Sequence, residues 1–371
     1  MKGVKMGAKY KVAVVGNGMI ANAAHIPAWK DIAGTVDIVA VADNREQAAR
    51  ETAERHGIPQ WYTDYNELLE KAKPDIVSVC TPNCYHKEVT IAALKAGAHV
   101  LCEKPITTNE ADAVEMFKTA EECGKILYVN QTARFSSQIL AAKRVIEEGL
   151  IGRAYFAEAN AMRRRGIPKW GFFHMKEHNA AGPGFDIGVH VIDSLLWILG
   201  SPKVVSACGS AYMELGNTDE GLEESLAESG APAGLFTPRK YDWREFDVED
   251  FIAGFVRFEG GLTLIVKASW AINAPEGSGA TYIAGTKGGI KMSSQPELIT
   301  NVAGYQVNTL LKIPKNPSVN FFGHYDSSKQ LIAVIEGREE IVVKKEQVLN
   351  VVRVLDALYK SSMQGKEVFV S

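Results

Sequence analysis

The sequence predicts an α/β chain in which a doubly wound parallel sheet leads and an α+β domain with a large open, mostly antiparallel sheet follows. Three observations carry that expectation. Short, continuously apolar, β-branched runs alternate with helical stretches up to about residue 130, as in parallel strands covered on both faces. Beyond it, strands follow one another through glycine turns, which implies antiparallel pairing. The length of 371 residues is more than one compact domain usually holds. These place one domain at residues 1–130 and a second at 131–371.

In the first domain strands are expected at Tyr10–Gly16, Val36–Asp43, Asp75–Cys80, His99–Glu103 and Ile126–Asn130. Crossover helices fall between and after them, at Met19–Ala33, Arg45–His56, Asp64–Ala72, Cys84–Ala96 and Asn109–Cys123. The second domain opens with a helix at Phe135–Glu148, stopped by Gly149, and a strand at Arg153–Met162. A helix apolar nearly all round is expected at Phe185–Leu199, bounded by Gly200-Ser201-Pro202. Strands at Val204–Tyr212, Asp250–Glu259, Leu262–Ala271 and Gly279–Gly285 come next, with turns at Glu259-Gly260-Gly261 and Lys287-Gly288-Gly289. Residues Glu214–Asp247, acidic and then rich in proline, lack the periodicity to build a core and read as an excursion or lid.

Composition excludes several classes. Lys and Arg number 41 against 44 Asp and Glu, so no global positive charge advertises nucleic acid. The longest apolar stretches, such as Ile187–Leu199, are broken by Asp and His short of the roughly 18–20 residues that a membrane span needs. No apolar run precedes the first strand, so no secretory signal is read. Five cysteines, an odd number without a CxxC pair, suit a reducing, cytoplasmic setting.

Chemistry enters at Gly16-Asn17-Gly18-Met19-Ile20-Ala21, a G-x-G-x-x-A pattern between a strand and a helix. The first glycine makes the turn, the second lets a pyrophosphate approach the backbone, and the small Ala21 allows close helix packing. Asp43 follows Ala21 at the end of the next strand, where an acid can bond both hydroxyls of an adenosine ribose. Together they indicate a Rossmann dinucleotide site. A carboxylate about 4 Å from a 2′-phosphate is repelled by roughly 4 kcal/mol at an effective dielectric near 20, which favours NAD. Arg45, beside Asn44, is the residue that would admit NADP by swinging onto that phosphate.

Ligands of open α/β sheets lie outside the carboxyl ends of the strands. Those ends add Thr81-Pro82-Asn83 with His86, Glu103-Lys104-Pro105 and Asn130-Gln131 to the cofactor-binding candidates. A lysine directly after a buried strand has little solvent, the setting in which lysine can pass protons, so Lys104 is a catalytic candidate. Asp186 and His190, four apart on the apolar helix, share a face, and a His–carboxylate pair is a common acid/base device. Arg163-Arg164-Arg165 is most simply a solvated loop. These arginines, Arg164 first among them, or Lys169 and Trp170 are candidate contacts for a charged or glycosyl substrate group. His174-Met175-Lys176-Glu177-His178 fits an H-x-x-E-H zinc pattern, but no long apolar helix would hold it and no third ligand is apparent, so no metal is expected.

The glycine motif, Thr81-Pro82-Asn83 with His86, Glu103-Lys104-Pro105 and the Asp186…His190 segment, in this order and at these separations, resemble the Gfo/Idh/MocA oxidoreductase family over most of the chain. The resemblance implies NAD(P)-dependent oxidation or reduction of sugars, inositols and related polyols. It also implies a second domain whose sheet often forms the oligomer interface. Lys104 matches the family's catalytic lysine, and Asp186 and His190 match its Asp-x-x-x-His pair. On that footing His190 is the general base and Lys104 bonds the same oxygen, or the two exchange roles, and Asp186 orients His190 or binds a neighbouring hydroxyl. Alternate positions of Phe251–Phe258 and Leu262–Trp270 are apolar on both faces, which also points to a homodimer or homotetramer through this sheet. Two other readings stand beside the dehydrogenase: a redox-neutral, NAD-dependent glycosidase of the same architecture, and a non-enzymatic NAD sensor. The stretch Glu214–Asp247 is longer than a minimal member needs.

Overall fold

Alternation of apolar strands with helices builds the first sheet, and the computed structural model describes residues 9–218, 239, 241–275, 277, 279–314 and 323–370. Its elements run β1 (Tyr10–Val15), α1 (Ile26–Asp31), β2 (Val36–Ala42), α2 (Glu46–His56), β3 (Gln60–Tyr62), α3 (Tyr65–Ala72), β4 (Ile76–Val79), α4 (His86–Lys95), β5 (His99–Cys102), α5 (Glu110–Glu122) and β6 (Leu127–Val129). All neighbours are parallel, in the order β3-β2-β1-β4-β5-β6. The edge strand β3 was not expected, because three largely exposed residues carry no apolar run.

The second sheet has nine strands. It starts after α6 (Ser137–Glu147) with β7 (Ala154–Met162), then follow the short α7 (Lys176–Asn179), α8 (Val189–Ile198), β8 (Val204–Tyr212), β9 (Phe251–Phe258) and β10 (Thr263–Ser269). The strands β11 (Thr281–Gly285), β12 (Gly289–Met292), β13 (Glu297–Val302) and β14 (Tyr305–Leu310) make a meander. Helices α9 (His324–Ile335) and α10 (Lys345–Gln364) and the strand β15 (Val368–Phe369) finish the chain. The order is β14-β13-β12-β11-β7-β10-β9-β8-β15, antiparallel throughout except for the β7–β10 pair. Most of the excursion expected at Glu214–Asp247 lies outside the described residues. Its base is fixed by Asp250, whose Oδ2 accepts the backbone N–H groups of Glu214, Leu215 and Gly216 at 2.8, 2.6 and 2.9 Å.

Two large apolar cores and two smaller ones result among the described residues, and the C-terminal helices serve both large ones. Leu331 and Ile332 of α9, with Val348, Leu349 and Val352 of α10, pack among the first sheet's Val12, Val77 and Leu101. Val354, Leu355 and Leu358 of the same α10 join α8's Ile192 and Leu195 against Ile252, Val256 and Leu264 of the second sheet. An amphipathic helix with two apolar flanks thus connects the layers. Two helices open with an i→i+5 turn: Ala21–His25 precedes α1, and Gly184–Gly188 precedes α8. Such turns widen a helix locally and re-aim its side chains.

Candidate active site

The carboxyl ends of β1, β4 and β5 open onto a cavity of about 650 Å³ whose opposite wall includes Arg163, Trp170, Phe172, Asp186 and His190. Gly16 takes φ +90°, and a Cβ there would lie 2.6 Å from the backbone of Cys80 and Thr81, so only glycine fits. Gly18 has nothing within 4 Å of its Cβ position, which leaves its backbone open to a ligand. Ala21 is wholly buried against Val14, Val41 and Cys80. Asp43 Oδ2 accepts the Asn17 N–H at 2.8 Å, and Oδ1 accepts the Arg45 N–H at 2.9 Å and Nε at 3.2 Å. The acid therefore stands at the glycine loop with Arg45 folded onto it. Buried polar atoms without a partner, both side-chain atoms of Asn17 and Thr81 Oγ1, lie at the same loops. An open glycine backbone, an acid at the ribose position and orphaned polar groups fit an NAD molecule.

Most of the expected cofactor residues reach the cavity wall: Gly16, Gly18, Met19, Ile20, Asp43, Asn44, Arg45, Thr81, Pro82, Asn83, His86, Glu103 and Lys104. Asn17 and Gln131 are each 2 % exposed and sit behind it. His86 is fastened between two loops, with Nδ1 2.7 Å from Pro105 O and Nε2 2.9 Å from Thr81 O. Burial lowers its pKa despite those carbonyl contacts. It joins the Thr81 loop to the Lys104–Pro105 segment, whose peptide bond is cis.

Lys104 meets the second layer. Its Nζ donates to the Asp186 backbone O at 2.8 Å and to Oδ1 at 3.2 Å, and the other carboxylate oxygen accepts the Trp270 Nε1–H at 2.9 Å. Burial works to raise the Asp186 pKa, but Lys104, Arg163, Trp270 and His190 together hold it below the ordinary value. The i,i+4 spacing led to the expectation that Asp186 orients His190. No hydrogen bond joins the two, because Asp186 lies in the i→i+5 turn and its carboxylate goes to Lys104 and Trp270. His190 lines the same cavity. Burial, and then the Lys104 charge, push its pKa down to about 3, so the imidazole is neutral at physiological pH and has a free nitrogen to accept a proton.

Behind Lys104, Glu103 Oε1 accepts from Asn130 Nδ2 at 2.6 Å, with His25 Nε2 at 2.8 Å and His324 Nε2 at 3.1 Å. Among the described residues these two histidines and Glu103 are the one group whose ligand atoms approach closely enough for a metal ion. The Asn130 N–H pointing at the shared oxygen, with separations of ordinary hydrogen-bond length, suits a hydrogen-bonded cluster. In the His174…His178 segment, His174 Nε2 is 3.6 Å from Glu245 Oε2, too long for a hydrogen bond. His178 Nδ1 is 2.9 Å from the Tyr85 hydroxyl.

Of the candidate substrate contacts, Trp170 and Arg163 line the cavity, Trp170 buried and with an unpartnered Nε1. Arg164 is exposed and away from it, and the Lys169 ammonium lies over the Tyr241 ring, 5.5 Å from its centre. Within the arginine run it is Arg163 that reaches the cavity and not Arg164, since neighbouring residues leaving a strand point to opposite sides. Tyr85, Phe172, Trp270 and His324 were not singled out from sequence. His324 has no signal there at all, being 221 residues from the Glu103 it contacts.

A family model described as an oxidoreductase family with an NAD-binding Rossmann fold matches residues 10–131, and the GFO/IDH/MocA C-terminal domain matches residues 139–291. The chain is 30% identical over 369 residues to a D-glucoside 3-dehydrogenase of Escherichia coli (strain K12), covering 99% of each. It is 25% identical to a scyllo-inositol 2-dehydrogenase (NADP(+)) of Bacillus subtilis (strain 168), covering 100% of this chain and 98% of that one. A levoglucosan dehydrogenase solved with NADH and levoglucosan has the same fold, with a TM-score of 0.79 at 20% identity over 98% of this chain and 100% of that one.

Proposed function

The chain belongs to the Gfo/Idh/MocA family of NAD-binding oxidoreductases, and from that premise we propose that it is an NAD-dependent dehydrogenase of a sugar, sugar derivative or cyclitol. The observation that carries this reading is the contact of Lys104 Nζ with Asp186 across the cleft, in the cavity that also holds the glycine loop and His190. NAD, when bound, accepts the hydride. The protein supplies placement and a proton acceptor.

A substrate hydroxyl fits between Lys104 and His190. Lys104 donates a hydrogen bond to that oxygen, with Asp186 and Trp270 fixing the ammonium in place. As the C–H bond gives up its hydride, the carbinol oxygen becomes strongly acidic, and its O–H proton passes to His190, which leaves a neutral carbonyl. Burial and the Lys104 charge keep His190 a weak base in the free site, so proton and hydride leave together. Reduction of a carbonyl runs the same steps backwards. Asp43 at the ribose position supports NAD over NADP, and the Asp43–Arg45 pair keeps Arg45 from an approaching 2′-phosphate.

The second sheet supports self-association. Its helices pack on the face that carries Ala157, Ile252, Val256 and Leu264, while Tyr212, Leu310 and Phe369 stand exposed on the opposite face. A homodimer or homotetramer through this sheet would cover them. No helix among the described residues is long and apolar enough to cross a membrane. The cysteine pattern supports a cytoplasmic enzyme.

Absorbance at 340 nm, with NAD and a panel of free sugars, glycosides and inositols, tests the activity. Stoichiometric NADH with one group of polyols is expected. Release of free sugar from a glycoside without net NADH would replace this reading by the redox-neutral one, and NAD binding without turnover of any of them by the sensor. Light scattering that gives a monomer of 40.4 kDa at micromolar concentration would remove the oligomer.

A further inference from the structure

Glu103 does not spend its carboxylate on the cavity. Three donors converge on Oε1: Asn130 at the end of β6, His25 from the i→i+5 turn after the glycine loop, and His324 from the first turn of α9. Oε2 accepts the backbone N–H of Lys104 at 3.2 Å. The ring of partners is itself fastened. Ser327 Oγ donates to Asn130 Oδ1 at 2.6 Å, and the His25 and His324 rings meet edge to face with centres 4.8 Å apart. Gly323, just before α9, has φ +81°, and a Cβ there would come within 2.8 Å of Thr132 O, so the entry to the helix allows no side chain. His25, Glu103, Asn130 and His324 are each 6 % exposed or less.

A cluster of this kind is a poor way to gain stability, since taking a carboxylate out of water costs more than an apolar replacement would. Burial pushes the Glu103 pKa up, and the hydrogen bonds and charges of His25 and His324 bring it back to well below the ordinary value, so the group is a carboxylate. Its position explains it better. Glu103, Asn130 and His324 share the cavity wall with Lys104 and His190. Lys104 is held in front by Asp186 and, through its own amide, from behind by Glu103.

We propose that Glu103 is a positioning residue for hydride transfer: it gathers the glycine-loop helix, β6 and the C-terminal α9 onto one oxygen and so sets where the neighbouring Lys104 presents its ammonium. It acts through Lys104. His324 makes α9 a part of the catalytic apparatus. The proposal rests on the dehydrogenase reading, and one of its tests does not need that activity.

Glu103→Gln keeps the shape and removes the charge. Its expected effect is a fall of about 100-fold in kcat, the scale of an ångström misplacement of a reacting group, with NAD affinity changed no more than a few-fold. His324→Gln keeps a donor toward Glu103 and should retain most of the wild-type kcat, whereas His324→Phe should fall with Glu103→Gln. Without cofactor, trace acetic anhydride labelling read by mass spectrometry should show Lys104 more reactive, relative to the surface lysines, in Glu103→Gln and His324→Phe than in wild type. Normal kcat and normal Lys104 labelling in a folded Glu103→Gln, whatever its melting temperature, would overturn the proposal. If that variant does not fold, equal kcat and equal labelling in the two His324 variants would do the same. Stoichiometric metal in the purified protein that chelation removes would also overturn it, because the three donors would then be ligands. If wild type turns over none of the polyols, the dehydrogenase reading fails on its own, and the labelling still decides whether Glu103 positions Lys104.

Discussion

Arg134 and Asp193 face each other as a buried two-pronged pair, Nε to Oδ2 at 2.9 Å and Nη2 to Oδ1 at 2.6 Å, with side chains 1 % and 0 % exposed. The remaining guanidinium nitrogen, Nη1, donates to Val342 O at 3.1 Å and to Gln347 Oε1 at 2.5 Å. One side chain just past β6 therefore ties α8 to α10. Removing either partner leaves a buried charge alone, which typically costs 3–5 kcal/mol. Asp193→Ala and Arg134→Ala should each lose about 4 kcal/mol in urea unfolding, and the double variant should lose much less than the sum. Additive losses would show that the pair does not act as a unit.

Lys104 and His190 lie on different layers of one cavity, so each should be needed for turnover and neither for holding NAD. Lys104→Ala and His190→Ala are expected to lower kcat by at least about 100-fold each, and the double variant to be little worse than either. Fluorescence titration should give NAD dissociation constants within a few-fold of wild type. A Lys104→Ala protein that keeps most of its activity would place the chemistry elsewhere in the cleft.

Asp43 accepts the Asn17 N–H and lines the cavity where we propose that the adenosine ribose sits. Asp43→Ser should weaken NAD and relieve the repulsion of NADP, so that the ratio of their kcat/KM values falls by at least about tenfold, some 1.4 kcal/mol. An unchanged ratio would move the selection to Asn44 and Arg45.

Stability should fall on the acid side because of histidines that the fold keeps neutral. Burial, and then Lys30 and Arg55, push His56 down to about 4; burial and Lys125 do the same to His99. His190 lies lower still, at about 3. Above pH 6.5, the ordinary value, these rings are neutral both folded and unfolded. Below it the unfolded chain takes up protons that the folded chain refuses, so the stability present at neutral pH is lost as pH drops toward 4. Melting temperature should be level from pH 7 to 8 and decline steadily from 6.5 to 4. His99→Asn keeps an acceptor for the Ile126 N–H that bonds Nδ1, and it should make the decline shallower. A decline of unchanged slope would remove His99 from the account.

The sequence was most informative where local pattern and structure coincide. The run into Gly16 and the acid at Asp43 announced a nucleotide site, since a strand, a tight turn and a helix start leave their mark on adjacent residues. Lys104, Asp186 and His190 were legible as polar residues in apolar company. Their wiring was not: a wide turn at Gly184–Gly188 is invisible to a count of four and sends Asp186 to Lys104 and Trp270. Which member of the arginine triplet reaches the cavity was likewise beyond pattern, and it is Arg163. The strands Glu297–Val302 and Tyr305–Leu310 escaped because their mixed, exposed residues carry no alternation to read. His25 and His324 escaped for a different reason: contacts between distant parts of the chain are written in the packing of helices and not in any window of residues.

The sharing of α10 between two cores has a consequence for the order of events during synthesis. Chains emerge amino end first, and a domain ordinarily folds once its own residues are out. Here the first sheet leaves the ribosome with an apolar flank open, since Leu331, Ile332, Val348, Leu349 and Val352 come only after the whole of β7 to β14 has been made. His324 arrives in the same late stretch, so Glu103 waits for its third donor until the second sheet has been made.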